Sequence, residues 1–139
     1  VTSMEITRAR IKIPSTFWAR RDVLAADLNY NMAMIMHQYD RLDSLYENVI
    51  KTFNRAAKED PSIADECRLL INNFIHIHSI ASEYRKLHRA QKLGLLETTY
   101  SAAETQRIFA AYREMIIKSR AQNIPQEKFL QMVPNTPFQ

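Results

Sequence analysis

Apolar residues recur at alternating spacings of four and three positions through residues 28–56 of this chain. A seven-residue repeat sustained over this length is typical of a coiled-coil seam and predicts one long helix over residues 22–59. The predicted seam positions of this first helix are Leu28, Met32, Ile35, Tyr39, Leu42, Tyr46, Val49 and Phe53.

The sequence Asp60-Pro61-Ser62 interrupts the first helix, because the residue before a proline is disfavoured in a helix and proline suits the first turn of a new one. The same apolar spacing then resumes and predicts a second helix over residues 62–93, ended by Gly94. Since the link is so short, the two helices should form an antiparallel hairpin. The seam positions predicted for the second helix are Leu70, Phe74, Ile77 and Tyr84.

Both helices also carry apolar residues outside the seam, which a bare two-helix hairpin would leave in water. Their number predicts a third helix, a neighbouring subunit, or both. These residues are Met34, Met36, Leu45, Ile50, Leu69, Ile71, Ile75 and Ile80.

The rest of the chain predicts two further helices. Ser101-Ala-Ala-Glu104 is a capping box that predicts a third helix over residues 102–122. Pro125 predicts the start of a short fourth helix that runs to residue 133, and residues 134–139 read as a loose tail.

These elements predict an all-α fold: a long antiparallel, coiled-coil-like helical hairpin with a third helix and a short C-terminal helix, all within one domain over residues 22–133. The single glycine in 139 residues disfavours folds built from many β-hairpins.

The formal net charge of +4 is concentrated in residues 1–21, while the rest of the chain is balanced. This segment reads as a partly extended arm, in which Ile11 and Ile13 alternate with basic residues as far as Pro14. Such an arm suits contact with an acidic partner such as double-stranded DNA, although a solvated arm has the same pattern. Its basic residues are Arg8, Arg10, Lys12, Arg20 and Arg21.

A second basic cluster lies at the end of the second predicted helix. Cations are favourable at a helix C-terminus in any case, and they could equally contact phosphates. Both interpretations stay open for these residues, which are Arg85, Lys86, Arg89 and Lys92.

No pattern in the chain predicts catalysis, so we expect a non-enzymatic protein without catalytic residues, cofactor or metal. There is no phosphate-binding glycine loop and no HExxH motif, and Cys67 lies on the apolar seam, where packing is the better interpretation. The absence of a long apolar run and of a signal-peptide pattern predicts a cytoplasmic protein with no membrane partner. The histidines considered as metal ligands are His37, His76, His78 and His88.

The heptad helix is followed by the turn KEDPSIADE, a helix ending SEYRKLHRAQKLG, and then AAETQRIFAAYREMIIKSRAQNIPQEKFLQMV. This order resembles the oligomerisation region of bacteriophage terminase small subunits over about residues 22–133. The resemblance implies a ring-forming homo-oligomer that binds viral DNA and meets the terminase large subunit through its C-terminal segment. It therefore implies a role in viral genome packaging in the host cytoplasm.

That family usually carries an N-terminal helix-turn-helix domain, for which residues 1–21 are too short. Either the basic arm contacts DNA, or the DNA-binding part is absent from this chain. The alternative hypothesis is a helical protein–protein interaction module or structural subunit of a larger assembly with no nucleic acid role.

Overall fold

The computed structural model describes residues 5–8, 11–14, 20–118 and 126–138. The fold is all-α, as predicted, and is preceded by one short β-hairpin in which Ile6 pairs with Ile13. Single turns of 3₁₀ helix, Tyr39–Arg41 and Pro61–Ile63, precede the second and third helices. The elements are β1 (Glu5–Arg8), β2 (Ile11–Pro14), α1 (Arg21–Ile35), α2 (Leu42–Glu59), α3 (Ala64–Lys92), α4 (Leu96–Thr99), α5 (Ala102–Lys118) and α6 (Gln126–Met132).

Four of the helices, α1, α2, α3 and α5, run antiparallel to one another in chain order. Arg20 at the start of α1 pairs with Glu59 at the end of α2, and Arg107 of α5 pairs with Glu83 near the end of α3. The long helix α3 packs against α2 on one side and α5 on the other. The predicted hairpin is therefore α2 with α3, and α5 is the predicted third helix. None of the described helices has the combined length and apolarity needed to cross a bilayer.

Both ends of α3 are set by residues close to those predicted. The Asp60 carboxylate accepts hydrogen bonds from the backbone N–H and the hydroxyl of Ser62, at 3.1 and 2.6 Å. At the other end Gly94 has a φ of +72°, and the Leu95 N–H donates to the Ala90 carbonyl at 2.8 Å. This left-handed glycine cap is the stop that the sequence predicted.

The prediction of one continuous helix over residues 22–59 is wrong, because the chain reverses at residues 36–38. His37 has a φ of +59°, and the Gln38 N–H donates to the Ala33 carbonyl at 2.8 Å. This is the hydrogen bond of a left-handed helix cap, with a histidine where glycine is usual. Because α1 folds back along α2, it acts as a helix of the bundle in its own right.

The reversal also changes which face of α1 is buried. Ala26, Tyr30 and Ala33 are buried, whereas the predicted seam residues Leu28 and Met32 are only half-buried. The small alanines let α1 lie close to its neighbours. The remaining seam predictions agree with the core: Tyr46 is half-buried, and the buried positions are Ile35, Tyr39, Leu42, Val49, Phe53, Leu70, Phe74, Ile77 and Tyr84.

Most of the apolar residues outside the seam are covered by the chain's own helices. Met34 is buried, and Leu45, Ile50, Ile71 and Ile80 are half-buried. A neighbouring subunit is therefore not needed to cover them.

Three residues of that set, Met36, Leu69 and Ile75, remain about half exposed. Leu69 and Ile75 point about 120° apart on α3, so they do not form one apolar stripe.

The residues after α6 pack against the bundle, which differs from the predicted loose tail. Val133 and Pro134 are buried, and the Pro134 carbonyl accepts a hydrogen bond from Arg113 Nε at 3.2 Å. The Phe138 N–H donates to the Tyr84 hydroxyl at 3.3 Å. The predicted end of the third helix, over residues 119–122, lies outside the described residues.

Two adjacent leucines of α3 provide a matched test of this packing. Leu70 is fully buried and Leu69 is half exposed. We expect Leu70→Ala to lower the free energy of unfolding by about 2–5 kcal/mol, because it leaves a cavity in the core. Leu69→Ala should change it by about 0.5 kcal/mol or less. Urea unfolding followed by circular dichroism measures both, and equal losses would contradict the arrangement of α3.

Candidate nucleic-acid interface

Three basic residues in the last turns of α3 line one cavity. Arg85, Arg89 and Lys92 are spaced four and three positions apart, so they share one face of the helix. The cavity has a volume of about 230 Å³. Among the described residues, its lining is Arg85, Arg89, Lys92, His37, Tyr39, Asp40 and His88.

The opposite wall of the cavity is built by the chain reversal after α1. The His37 ring stacks on His88 with ring centroids 6.5 Å apart, and the Tyr39 hydroxyl lies 2.8 Å from His37 Nδ1. A histidine held at positive φ costs of order 1–2 kcal/mol, and such strain is concentrated at binding and catalytic sites. We name the end of the bundle formed by residues 36–41 and 85–99 the cavity end.

Arg85 is held in place by a network that joins three helices. Its guanidinium lies 3.1 Å from the Asp43 carboxylate, which also lies 3.0 Å from His78 Nε2. The other nitrogen of His78 is 2.7 Å from the Tyr30 hydroxyl, and Tyr46 stacks on the ring at 4.1 Å. Desolvation acts against ionisation of Asp43, but the bonds from Arg85 and His78 hold its pKa below the usual value. The charge of Arg85 is therefore largely offset by Asp43.

Arg89 and Lys92 supply the unpaired positive charge of the cavity. Within the described part of the chain, no carboxylate lies within ion-pair distance of either side chain. Burial, and then Lys92 and His37, lower the pKa of His88, so this imidazole is neutral at pH 7. Asp40 is the one carboxylate in the lining. The cavity can thus attract an anion while offering the neutral His88 imidazole as a hydrogen-bonding group.

The structure does not bring Arg20 of the predicted basic arm to the second basic cluster. Arg20 pairs with Asp22 and Glu59, at the opposite end of the bundle from the cavity. The 29-residue α3 separates the two ends by about 40 Å. Arg20 is therefore held by its own chain and is not free for a ligand.

Two further basic residues predicted to bind nucleic acid, Arg21 and Lys86, lie outside the cavity lining. Arg21 is exposed on α1, and Lys86 is exposed on a different face of α3 from the three cavity residues. Arg8 and Lys12 belong to the β-hairpin, and Arg10 lies outside the described residues.

Four residues of the cavity were not among those predicted to bind nucleic acid: His37, Tyr39, Asp40 and His88. His37 and His88 were considered as metal ligands. The sequence placed Tyr39 and His88 on apolar seams, and nothing in it marked His37 as the residue of a left-handed turn. A glycine or asparagine at position 37 would have been the recognisable signal.

An aromatic layer packs against Tyr39 and His88 of the cavity lining. Tyr84 and Tyr112 stack with ring centroids 4.1 Å apart, and the Tyr112 hydroxyl donates to the Met34 carbonyl at 3.2 Å. Burial raises the pKa of Tyr39 and Tyr112, so both hydroxyls stay protonated and act as structural hydrogen-bonding groups.

The structure places neither an activated cysteine nor a metal-binding group among the described residues. Burial raises the pKa of the Cys67 thiol, which opposes formation of a thiolate. Within residues 20–118 and the other described segments, no three histidine, cysteine or carboxylate side chains form a group that could hold a metal ion. Anion binding is the chemistry that the cavity can perform.

Comparison with protein-family models, with curated proteins and with solved structures finds no match to this chain.

The network behind Arg85 predicts a pH dependence of stability. Burial lowers the pKa of His78 in the folded protein, whereas in the unfolded chain it titrates near 6.5. Folding therefore favours the neutral ring, and its contribution is present above pH 6.5 and is lost as the pH falls below that value. We expect a lower urea midpoint at pH 5.5 than at pH 7.5.

His78→Gln should leave only the part of this decrease that His88 contributes, since the pKa of His88 is lowered in the same direction. The control is His76→Gln, because His76 is exposed on the same helix. An undiminished pH dependence in His78→Gln would show that the network does not hold this histidine neutral.

Proposed function

We propose that the protein is a non-enzymatic helical adaptor that binds DNA phosphates in the cavity between α3 and the reversal after α1. The observation that carries this proposal is that Arg89 and Lys92 have no carboxylate partner in the described chain and share one cavity with Arg85 and two imidazoles. Unpaired cations that converge on one cavity are an electrostatic site for phosphate groups.

The wider role that we propose is the one implied by the terminase resemblance: a self-assembling adaptor that holds DNA for a motor or nuclease partner during viral genome packaging. The all-α hairpin is compatible with that role. The C-terminal segment is the proposed contact for the partner. It lies beside the cavity, since the ring centroids of Phe138 and His88 are 6.2 Å apart. Protein and DNA contacts would then be neighbours at the same end of the bundle.

Neutralising the two unpaired cations tests the DNA-binding proposal. Because each neutralised phosphate contributes about −0.9 to the slope of log K against log salt, two free cations predict a slope of about −2 per protomer. We expect Lys92→Gln to reduce this slope by about one and Arg89→Gln to do the same. Fluorescence anisotropy with labelled duplex DNA over a range of salt concentrations measures it.

The matched control is Lys86→Gln, which removes the same charge from the same helix but lies outside the cavity. It should leave both affinity and slope close to those of the unmodified protein. If all three variants lost affinity equally, binding would depend on net charge and not on the cavity.

Self-assembly is tested separately by mass, since the chain covers most of its own apolar surface. Light scattering should give, after subtraction of the mass of the duplex, two or more times 16.3 kDa of protein per complex if the packaging role is correct. One protomer alone, and one protomer per bound duplex, would reject the assembling adaptor and leave DNA binding by single copies.

A protein–protein interaction module is the second candidate function. It is favoured by the exposed apolar side chains at the cavity end, Met36, Leu93 and Leu95. Unchanged binding of DNA in Arg89→Gln and Lys92→Gln, or no binding at all, would favour this candidate.

A further inference from the structure

We propose that the cavity binds the terminal phosphate of a DNA strand, so that the protein recognises DNA ends and not the side of the duplex. This inference rests on the proposed DNA-binding function and specifies its ligand. It follows from the charge of the cavity and from the apolar residues around it.

The hydrogen-bond donors of the cavity are concentrated at one point. Arg85, Arg89 and Lys92 converge with two imidazoles on a cavity of about 230 Å³, at the end of the bundle and not along its side. The side of duplex DNA instead presents an extended row, with one charge per about 1.7 Å of helix axis. A compact group of donors suits one phosphate group of high charge, and a terminal phosphate monoester carries about −1.5 to −2 where a backbone phosphate carries −1.

Exposed apolar side chains lie beside the cavity. Met36, Leu93 and Leu95 are 55%, 65% and 50% exposed, and they make up half of the large hydrophobic residues that are exposed in the described chain. Met36 precedes His37 of the cavity wall, and Leu93 follows Lys92 of the lining. The side of a duplex shows mainly phosphates and sugars, whereas its end shows the flat apolar face of the last base pair. These side chains can cover that face while the cavity holds the adjoining phosphate.

The test compares duplexes that differ only at their ends. Anisotropy competition compares three DNAs: a blunt duplex with 5′-phosphates, the same duplex with 5′-hydroxyls, and a closed circular duplex of the same sequence. We expect the phosphorylated duplex to bind about tenfold more tightly than the hydroxyl form, the factor that one additional charge-assisted hydrogen bond provides. The circle, which has no ends, should compete more weakly than either linear duplex.

Variants assign the preference to the cavity. Arg89→Gln should abolish the difference between phosphate and hydroxyl ends, whereas Lys86→Gln should retain it. The double variant Leu93→Ser with Leu95→Ser should weaken both linear duplexes and keep their ratio. Because all four positions are exposed, circular dichroism should show that each variant stays folded.

The outcomes separate this inference from the proposed function. Equal affinity for both linear duplexes and the circle, still dependent on Arg89 and Lys92, would overturn end recognition and leave DNA binding intact. Binding to no duplex would overturn both, and binding instead to vesicles that contain phosphatidic acid would assign the cavity to a lipid headgroup. Tenfold selectivity that is lost in Arg89→Gln supports the inference.

Discussion

The left-handed turn at His37 is the constraint on which the rest of the structure depends. By reversing the chain there, it converts a heptad helix of about 55 Å into two antiparallel helices and makes a bundle out of a hairpin. The same turn places His37 and Tyr39 against the last turns of α3, where the unpaired cations lie. His37, which ends α1, thus also forms one wall of the candidate site. The strained turn and the site are therefore formed by the same residue.

Contacts made by the His37 ring offset the unfavourable backbone conformation. Its stacking on His88 and its bond to Tyr39 tie the turn to α3, and Tyr39 in turn lies edge-on to Tyr84 with ring centroids 5.9 Å apart. Glycine would relieve the backbone strain but would lose these side-chain contacts. The histidine is therefore explained better as part of the cavity than as a helix cap chosen for stability.

The sequence predicted the parts of the fold that depend on local signals. Asp60, Gly94 and the Ser101 capping box set helix ends through short-range hydrogen bonding, and apolar spacing identified the α2–α3 core. The prediction of a continuous helix failed at His37 because the apolar spacing continues across the turn. Ile35 before the turn and Tyr39 after it are both buried. The site was only half predicted for the same reason: its cations lie on one helix, whereas the groups facing them are brought there by the reversal.

The distribution of charge over the bundle determines how the basic residues should be interpreted. The formal excess of the sequence lies in its first residues, yet Arg20 is neutralised by Asp22 and Glu59, and these three side chains join the start of α1 to the end of α2. At the opposite end Arg89 and Lys92 have no carboxylate partner among the described residues, although residues 22–139 as a whole carry no net charge. Because the interaction between charges depends on distance and solvent exposure, the local pairing of each cation decides what it can bind. Counting charges along the sequence therefore favours the N-terminal arm as the anion-binding segment. The ion pairing of the cations in the structure favours the cavity instead.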